Sequence, residues 1–182
     1  MGKIAVHEFI SLDGVFESPK WTFDYPFDPK MGEAIGGVMG TSKAILLGRT
    51  TYEEFAPAWS TRTAADDPGA PFFNESPKYV VSTTLQNADW SNSTVLGPYE
   101  AGAIRALKDQ VDGDIYVSGS GTLVRAMLGD GLVDELHLFV FPVALGAGKR
   151  LFATDGPQIK LALAEAEAYD SGVVRVSYRA AA

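Results

Sequence analysis

Two segments of the chain each combine a short apolar strand, a glycine turn and the start of a helix. The first is residues 46–55 (LLGRTTYEEF) and the second is residues 115–124 (IYVSGSGTLV). Such a junction exposes backbone N–H groups at the helix N-terminus, which is where open α/β sheets bind phosphate groups. Arg49 directly follows Gly48 and supplies a positive charge that suits a further phosphate. The 2′-phosphate that distinguishes NADPH from NADH is such a group, so the paired segments predict a pyridine-nucleotide reductase that uses NADPH.

Each segment also has a simpler interpretation. Residues 119–122 can form an ordinary tight turn, and Val124 stands where the Rossmann fingerprint requires its third glycine. Most arginines lie in surface ion pairs that contribute little stability, and Arg49 has that alternative. The recurrence of the strand–glycine–helix pattern in both segments favours phosphate binding over two unrelated turns.

Composition limits the classes of protein that the chain can represent. It has 182 residues, 46% of them hydrophobic, which fits a single domain over residues 1–182. The net charge of −8 argues against a general nucleic-acid binder, and the lack of cysteine excludes disulfides and thiolate metal sites. The apolar runs are strand-sized and the N-terminus lacks a secretory signal region. We therefore expect a cytoplasmic protein with a small-molecule substrate and no metal, membrane or nucleic-acid partner.

Hydrophobic periodicity and turn signals predict an alternating β/α chain that ends in a β-hairpin. Asp28, followed by proline, is a typical helix N-cap. Thr50 and Glu53 have capping-box spacing and predict a helix that stops before Pro57, with an irregular surface excursion over residues 60–77. Strands are predicted at residues 3–10, 43–47, 78–82, 93–96, 114–118, 134–142, 160–169 and 173–179. This order predicts a mixed sheet flanked by helices.

A set of ordered segments resembles the dihydrofolate reductase superfamily, and more closely its branch with the reductase domain of bacterial riboflavin-biosynthesis proteins (the RibD C-terminal domain). The segments are Ser11–Gly14, Gly48–Glu53, Val81–Thr84, Gly119–Leu123, Gly131–Leu136 and Pro142–Gly148. The resemblance implies a mixed, mostly parallel eight-stranded sheet with a C-terminal antiparallel hairpin, and NADPH as cofactor. The chain departs from folate-reducing members because no carboxylate follows Trp21 at their spacing, which argues against folate as the substrate.

The resemblance also implies roles for individual positions in cofactor binding. Arg49 and Thr50, next to Gly48, would hold the adenosine 2′-phosphate, with Ser82 and Thr83 nearby. The pyrophosphate would lie along the second glycine turn, at Gly119, Ser120, Gly121, Thr122 and Leu123.

Reduction of a C=N or C=O bond also needs a proton donor. Asp13, which the resemblance places where the nicotinamide meets the substrate, is the first candidate and Glu33 is the second. Glu33 also has the alternative of plain solvent surface. Phe16, Trp21 and Phe23 belong to an aromatic-rich loop that is expected either to line a pocket for a planar substrate or to pack on the core.

These features predict an NADPH-dependent reductase that transfers a hydride to a small heterocyclic or sugar-linked pyrimidine, resembling 5-amino-6-(5-phosphoribosylamino)uracil reductase. The alternative is a non-catalytic nucleotide-binding or dimerising protein that retains the fold, because a fold does not establish an activity. A homodimer is expected through residues 136–141 and 142–152, which resemble dimer contacts of the riboflavin branch.

Overall fold

The computed structural model describes residues 2–152 and 155–181, in which strands alternate with helices before a closing hairpin. The strands are β1 (Ile4–Ser11), β2 (Ser42–Gly48), β3 (Lys78–Val81), β4 (Ser93–Gly97), β5 (Asp114–Ser118), β6 (Glu135–Phe141), β7 (Leu161–Ala168) and β8 (Val174–Ala180). The α-helices are α1 (Pro29–Thr41), α2 (Arg49–Trp59), α3 (Ala70–Glu75), α4 (Ala101–Gln110) and α5 (Gly121–Gly129), and a 3-10 helix covers Pro19–Asp24. Each strand begins and ends within one residue of its predicted bounds.

The strands form one sheet in the order β4-β3-β2-β5-β1-β6-β8-β7. Strands β1 to β6 run parallel, with β1 between β5 and β6. Strand β8 pairs antiparallel with both β6 and β7, and the turn before it places Gly172 at a φ of 84°. The predicted mixed, mostly parallel sheet with a C-terminal antiparallel hairpin is confirmed.

Alternation along the strands divides the apolar side chains between the two faces of the sheet. In β2, Ala44 and Leu46 belong to a core cluster shared with α4 and α5, whereas Ile45 and Leu47 belong to one shared with α1, α2 and α3. Parallel strands covered on both faces read as nearly continuous apolar runs. The helices that follow β2 and β5 begin at the carboxyl edge of the sheet, where ligands bind in open α/β folds.

Helix α2 differs from its predicted form at both ends. Gly48 is its N-cap and no described side chain caps it, so the predicted capping box of Thr50 and Glu53 is wrong. The helix also continues through Pro57 to Trp59. Proline lacks an N–H donor, so Pro57 removes one hydrogen bond from the helix. The Trp59 ring stacks on that of Phe73 in α3, with centroids 4.2 Å apart, and this packing offsets the lost hydrogen bond.

The predicted irregular excursion over residues 60–77 contains a short helix, α3. Ala70 is fully buried and Phe73 is 5% exposed, so one side of α3 packs into the core. Proline in its first turn is a start signal that the sequence did carry. Within residues 2–152 and 155–181, no helix combines the length and apolar character needed to cross a membrane.

Strand β6 is an interior strand of the sheet and is covered within its own chain. Leu136, Leu138, Phe139 and Phe141 are each at most 4% exposed. The expected dimer contact therefore cannot use these side chains, and only the following segment, up to Phe152, is available for it. A homodimer through that segment stays a prediction.

Candidate active site

A cleft of about 460 Å³ opens at the carboxyl edge of the sheet. Its floor includes Glu8 and Phe9 of β1 and Ser118 of β5, and its walls include the first residues of α2 and α5. The two glycine turns identified in the sequence therefore meet at one site, as the parallel sheet requires.

The two turns pack closely against each other because small side chains and glycines form their contact. The Thr51 Oγ1 and Ser120 Oγ atoms lie 2.8 Å apart and join the start of α2 to the start of α5. A Cβ at Gly119, whose φ is 77°, would lie 2.7 Å from Thr51 Oγ1. A Cβ at Gly48 would overlap the Ser120 side chain. Glycine is therefore required at both positions because the two turns approach each other so closely.

The helix N-termini at this cleft are built differently from that of α1. Asp28 caps α1, with its Oδ1 accepting the Lys30 N–H at 2.9 Å, as predicted. The N-cap of α2 is Gly48, that of α5 is Ser120 in a left-handed conformation, and no described side chain caps either helix. Backbone N–H groups of an uncapped first turn, with the positive end of the helix dipole, attract anions. The cleft is thus suited to phosphate groups.

Arg49 is the first residue of α2 and lines the cleft together with Thr50. Its Nη1 donates to Glu53 Oε2 at 2.8 Å, and both side chains are nearly half exposed. An exposed pair of this kind contributes only about 0.3–0.5 kcal/mol. The guanidinium can therefore exchange this partner for a bound anion at small cost.

Ser82 and Thr83 follow β3 but do not belong to the lining of the cleft. The buried Ser82 hydroxyl accepts the backbone N–H groups of Thr84 at 3.1 Å and Leu85 at 2.9 Å. Its oxygen therefore stabilises the turn after β3. Val81, one residue earlier, is the part of this strand that reaches the cleft.

Glu8 is a functional candidate that the sequence motifs missed. Its side chain is 5% exposed, lines the cleft, and accepts the Gly119 N–H at 2.9 Å through Oε1. Burial raises the pKa of Glu8 to about 8, although the Gly119 bond acts in the opposite direction. The available signal was a lone acid between Val6 and Ile10 of an apolar strand.

Asp13 is held in a different environment, against the loop after β6. Its carboxylate accepts hydrogen bonds from Ser11 Oγ at 2.6 Å and from the amides of Leu145 and Gly146 at 3.0 and 2.8 Å. These bonds hold the pKa of Asp13 well below its usual range. The side chain is a carboxylate that ties two loops together, and it lies outside the cleft lining.

The remaining predicted residues are distributed over three places. Phe16 lines the cleft, where its ring lies over Gly121. Trp21 packs edge-on against Phe141 with centroids 5.4 Å apart and belongs to the cluster beneath α1. Phe23 is 85% exposed, and Glu33 is an exposed residue of α1. The structure therefore brings together Phe16 and the two glycine turns, and separates them from Trp21, Phe23 and Glu33.

Comparison with known proteins places this cleft in a wider context. The "Uncharacterized protein YyaP" of Bacillus subtilis (strain 168) is 28% identical over 176 residues, which cover 93% of this chain and 90% of YyaP. A "Putative riboflavin biosynthesis protein" of Shewanella sp. PV-4 has a similar structure, with a TM-score of 0.80, 18% identity and full coverage of both chains. The dihydrofolate reductase of Enterococcus faecalis, solved with NADP(H), gives a TM-score of 0.64 at 15% identity and covers 100% of this chain and 98% of its own.

These structural similarities establish a dihydrofolate reductase-like fold, in agreement with the expected eight-stranded sheet. The model of the RibD C-terminal domain matches residues 2–175, nearly the whole chain. That match includes both glycine turns, β1 with Glu8, and β7, and it ends within β8. The chain belongs to the RibD C-terminal domain family.

Proposed function

We propose that the protein is an NADPH-dependent reductase that transfers a hydride to a small heterocyclic or sugar-linked pyrimidine. The observation that carries the proposal is the convergence of two uncapped helix N-termini, those of α2 and α5, on one cleft with Arg49 at its rim. Family membership supports the same class of reaction.

The residues present fit a phosphorylated dinucleotide. The turn from Gly119 to Leu123 offers backbone N–H groups for the pyrophosphate, and Arg49 with Thr50 offers donors for the 2′-phosphate. Phe9 and Phe16 supply apolar surface for a planar ring. A cleft of about 460 Å³ is also of ordinary size for a ligand pocket.

In the mechanism, bound NADPH supplies the hydride from its reduced nicotinamide ring. The two glycine turns would hold the phosphates of the cofactor, and Phe9 and Phe16 would offer apolar surface to its ring and help to exclude water. Orientation of this kind removes much of the entropic barrier to a bimolecular transfer. The interlocked Thr51–Ser120 contact keeps the two turns at a constant separation.

The cofactor assignment is tested by replacing Arg49. We expect Arg49→Ala to weaken NADPH binding by about 1.5–3 kcal/mol, the range for hydrogen bonds to charged groups, and to leave NADH binding nearly unchanged. Arg105→Ala, which removes an exposed arginine of α4, is the matched control and should change neither affinity. Calorimetric titration with both nucleotides measures the difference, and equal losses for NADPH and NADH contradict the assignment.

The reductase activity itself needs a separate measurement. NADPH deuterated at the transferred position is incubated with a panel of pyrimidine and pterin acceptors, and the products are analysed by mass spectrometry. Deuterium in an acceptor supports the proposal. Tight NADPH binding without transfer to any acceptor would instead favour a non-catalytic nucleotide-binding protein.

A further inference from the structure

We infer that Glu8 is the acid of this site: it is protonated when the reduced, neutral nicotinamide ring occupies the cleft and ionised when the oxidised, cationic ring does. The inference rests on the proposed function and adds to it a named proton donor. It comes from the position of one buried carboxyl group that connects the floor of the cleft to a phosphate turn.

The position of Glu8 is fixed from two sides. It lies on β1, the strand between β5 and β6, and is paired in register with Leu138 of β6. Its Oε1 accepts the Gly119 N–H at 2.9 Å, so the carboxyl group is anchored to the turn assigned to the pyrophosphate. With Oε1 accepting this bond, Oε2 is the oxygen that can carry and deliver a proton.

The surroundings of Glu8 keep it protonated near neutral pH. Burial raises the pKa of Glu8 to about 8, and the single opposing influence of note is the Gly119 hydrogen bond. The Tyr116 hydroxyl lies on the other face of the sheet, 2.9 Å from His7 Nδ1, and does not bond to Glu8. The charged side chains that line the same cleft are Glu17, Arg49, Glu54, Arg125 and Lys149.

The cations of the cleft already have other partners. Arg49 bonds to Glu53 at 2.8 Å, and Lys149 lies 3.3 Å from Glu17. The Arg125 guanidinium donates to the backbone carbonyl oxygen of Arg150 at 2.8 Å. A cationic nicotinamide ring on the cleft floor would therefore be the positive charge that favours ionisation of Glu8.

The proton balance of the reduction follows from this arrangement. For a C=N acceptor, the hydride from NADPH forms the new C–H bond and carries both electrons, while the Oε2–H bond of Glu8 breaks and its proton forms the N–H bond. The products are the reduced acceptor, NADP⁺ and the Glu8 carboxylate. The carboxylate regains a proton from water after NADP⁺ leaves the cleft.

The earlier candidates cannot supply this proton from their places in the structure. The Asp13 carboxylate accepts hydrogen bonds from Ser11, Leu145 and Gly146 and pairs with Arg150, and these contacts stabilise its ionised form. Glu33 is an exposed residue of α1 outside the cleft lining. Glu8 is the acid that combines burial, a raised pKa and contact with the cleft.

The experiment counts the protons released when nucleotides bind. NADP⁺ and NADPH are titrated calorimetrically into the protein at about pH 7.5 in Hepes and in Tris, whose different ionisation enthalpies report the number of protons released and which do not compete for a phosphate site. The proteins are wild type, Glu8→Gln and Glu165→Gln. Glutamine at position 8 keeps the shape and an acceptor for the Gly119 N–H, and Glu165 is an exposed acid of β7 outside the cleft.

A group with a pKa of about 8 is mostly protonated at this pH. For wild type and Glu165→Gln, we therefore expect binding of NADP⁺ to release at least about half a proton that binding of NADPH does not release. In Glu8→Gln the difference should disappear while NADPH affinity changes less than about threefold. An equal difference in wild type and Glu8→Gln overturns the inference, as does a weaker affinity for both nucleotides with no change in proton count. Failure of wild type to bind either nucleotide instead refutes the proposed function, and the inference with it.

A second measurement needs no nucleotide. In protein labelled with ¹³C at the glutamate carboxyl carbons, the resonance missing from Glu8→Gln should titrate near pH 8 in wild type. Complete ionisation of that resonance below about pH 6 contradicts the inference even where nucleotide binding is normal.

Discussion

His7 and Glu8 are neighbours on β1 that lie on opposite faces of the sheet. His7 is 4% exposed and has an aromatic environment: its Nδ1 lies 2.9 Å from the Tyr116 hydroxyl, and its ring lies 4.8 Å from that of Phe9 and 5.3 Å from that of Phe139. Glu8 is equally buried but contacts Gly119 and the cleft. Burial favours the neutral form of both, lowering the pKa of His7 to about 3 and raising that of Glu8 to about 8.

The difference between them shows that a shifted pKa does not by itself mark a catalytic group. His7 is enclosed by rings and does not line the cleft, so its shift is a consequence of core packing. Glu8 has a similar shift and also reaches the cleft, so its proton is available to a bound molecule. Both groups should nevertheless influence stability, and in opposite directions along the pH scale.

The largest expected effect is that of Glu8→Gln on the free energy of unfolding as the pH rises. The native pKa of Glu8 lies above its unfolded value of 4.5, so the unfolded state loses its proton first and the free energy of unfolding falls as pH rises from 4.5 to about 8. A shift of this size corresponds to about 4–5 kcal/mol. Urea denaturation at pH 5 and pH 8, which spans most of this titration, should show wild type losing about 3–4 kcal/mol relative to Glu8→Gln. Parallel stability profiles for the two proteins would show that Glu8 is ionised in the native state.

A smaller effect, with the opposite pH dependence, is expected for His7→Gln on the free energy of unfolding as the pH falls. The native pKa of His7 lies below its unfolded value of 6.5, so the unfolded state gains a proton first and stability falls as pH falls below 6.5. Between about pH 6.5 and 4.5, wild type should lose about 2–3 kcal/mol relative to His7→Gln, which keeps a group able to bond the Tyr116 hydroxyl. Chemical denaturation over this range measures the difference. A histidine that takes up its proton inside the folded protein would leave no such difference.

The contrast between the two residues also shows what the sequence could predict. The two glycine turns were recognisable because close backbone approach and helix initiation require particular residue types at fixed spacing. The strands were recognisable because burial on both faces leaves apolar runs, and Asp28 because a cap is a local hydrogen bond. Each of these features depends on residues close together in the chain.

The features that the sequence did not predict depend on residues far apart in the chain. Glu8 becomes a cleft residue only when β5 delivers Gly119 to it, across 111 positions. Asp13 matched a family segment, yet two of the hydrogen bonds to its carboxylate come from Leu145 and Gly146, more than a hundred positions away. The extension of α2 through Pro57 likewise results from packing against α3, which local propensity does not contain.

The smallest expected effects distinguish residues within the aromatic loop, through Trp21→Ala and Phe23→Ala. Trp21 packs on Phe141, on the His7 side of β1, and is partly buried. Its replacement by alanine should lower the free energy of unfolding by about 2 kcal/mol, which is less than the about 3–5 kcal/mol typical of fully buried rings. Phe23 is 85% exposed, and its loss should change stability by less than about 0.5 kcal/mol. Urea denaturation measures both values, and NADPH titration should show unchanged affinity in both variants because neither side chain lines the cleft.

This pair of variants also tests the earlier expectation that the loop lines a substrate pocket. If Trp21 and Phe23 contact the acceptor, their alanine variants should keep wild-type stability and NADPH affinity and raise the KM for the acceptor, since a stacked ring contributes about 0.5–1.5 kcal/mol beyond its buried area. The packing of Trp21 on Phe141 and the exposure of Phe23 predict instead that Trp21→Ala loses stability and that Phe23→Ala behaves as wild type in every assay. Phe16, which lies over Gly121 in the cleft, would then be the one aromatic residue of the predicted three that is placed to contact a bound ring.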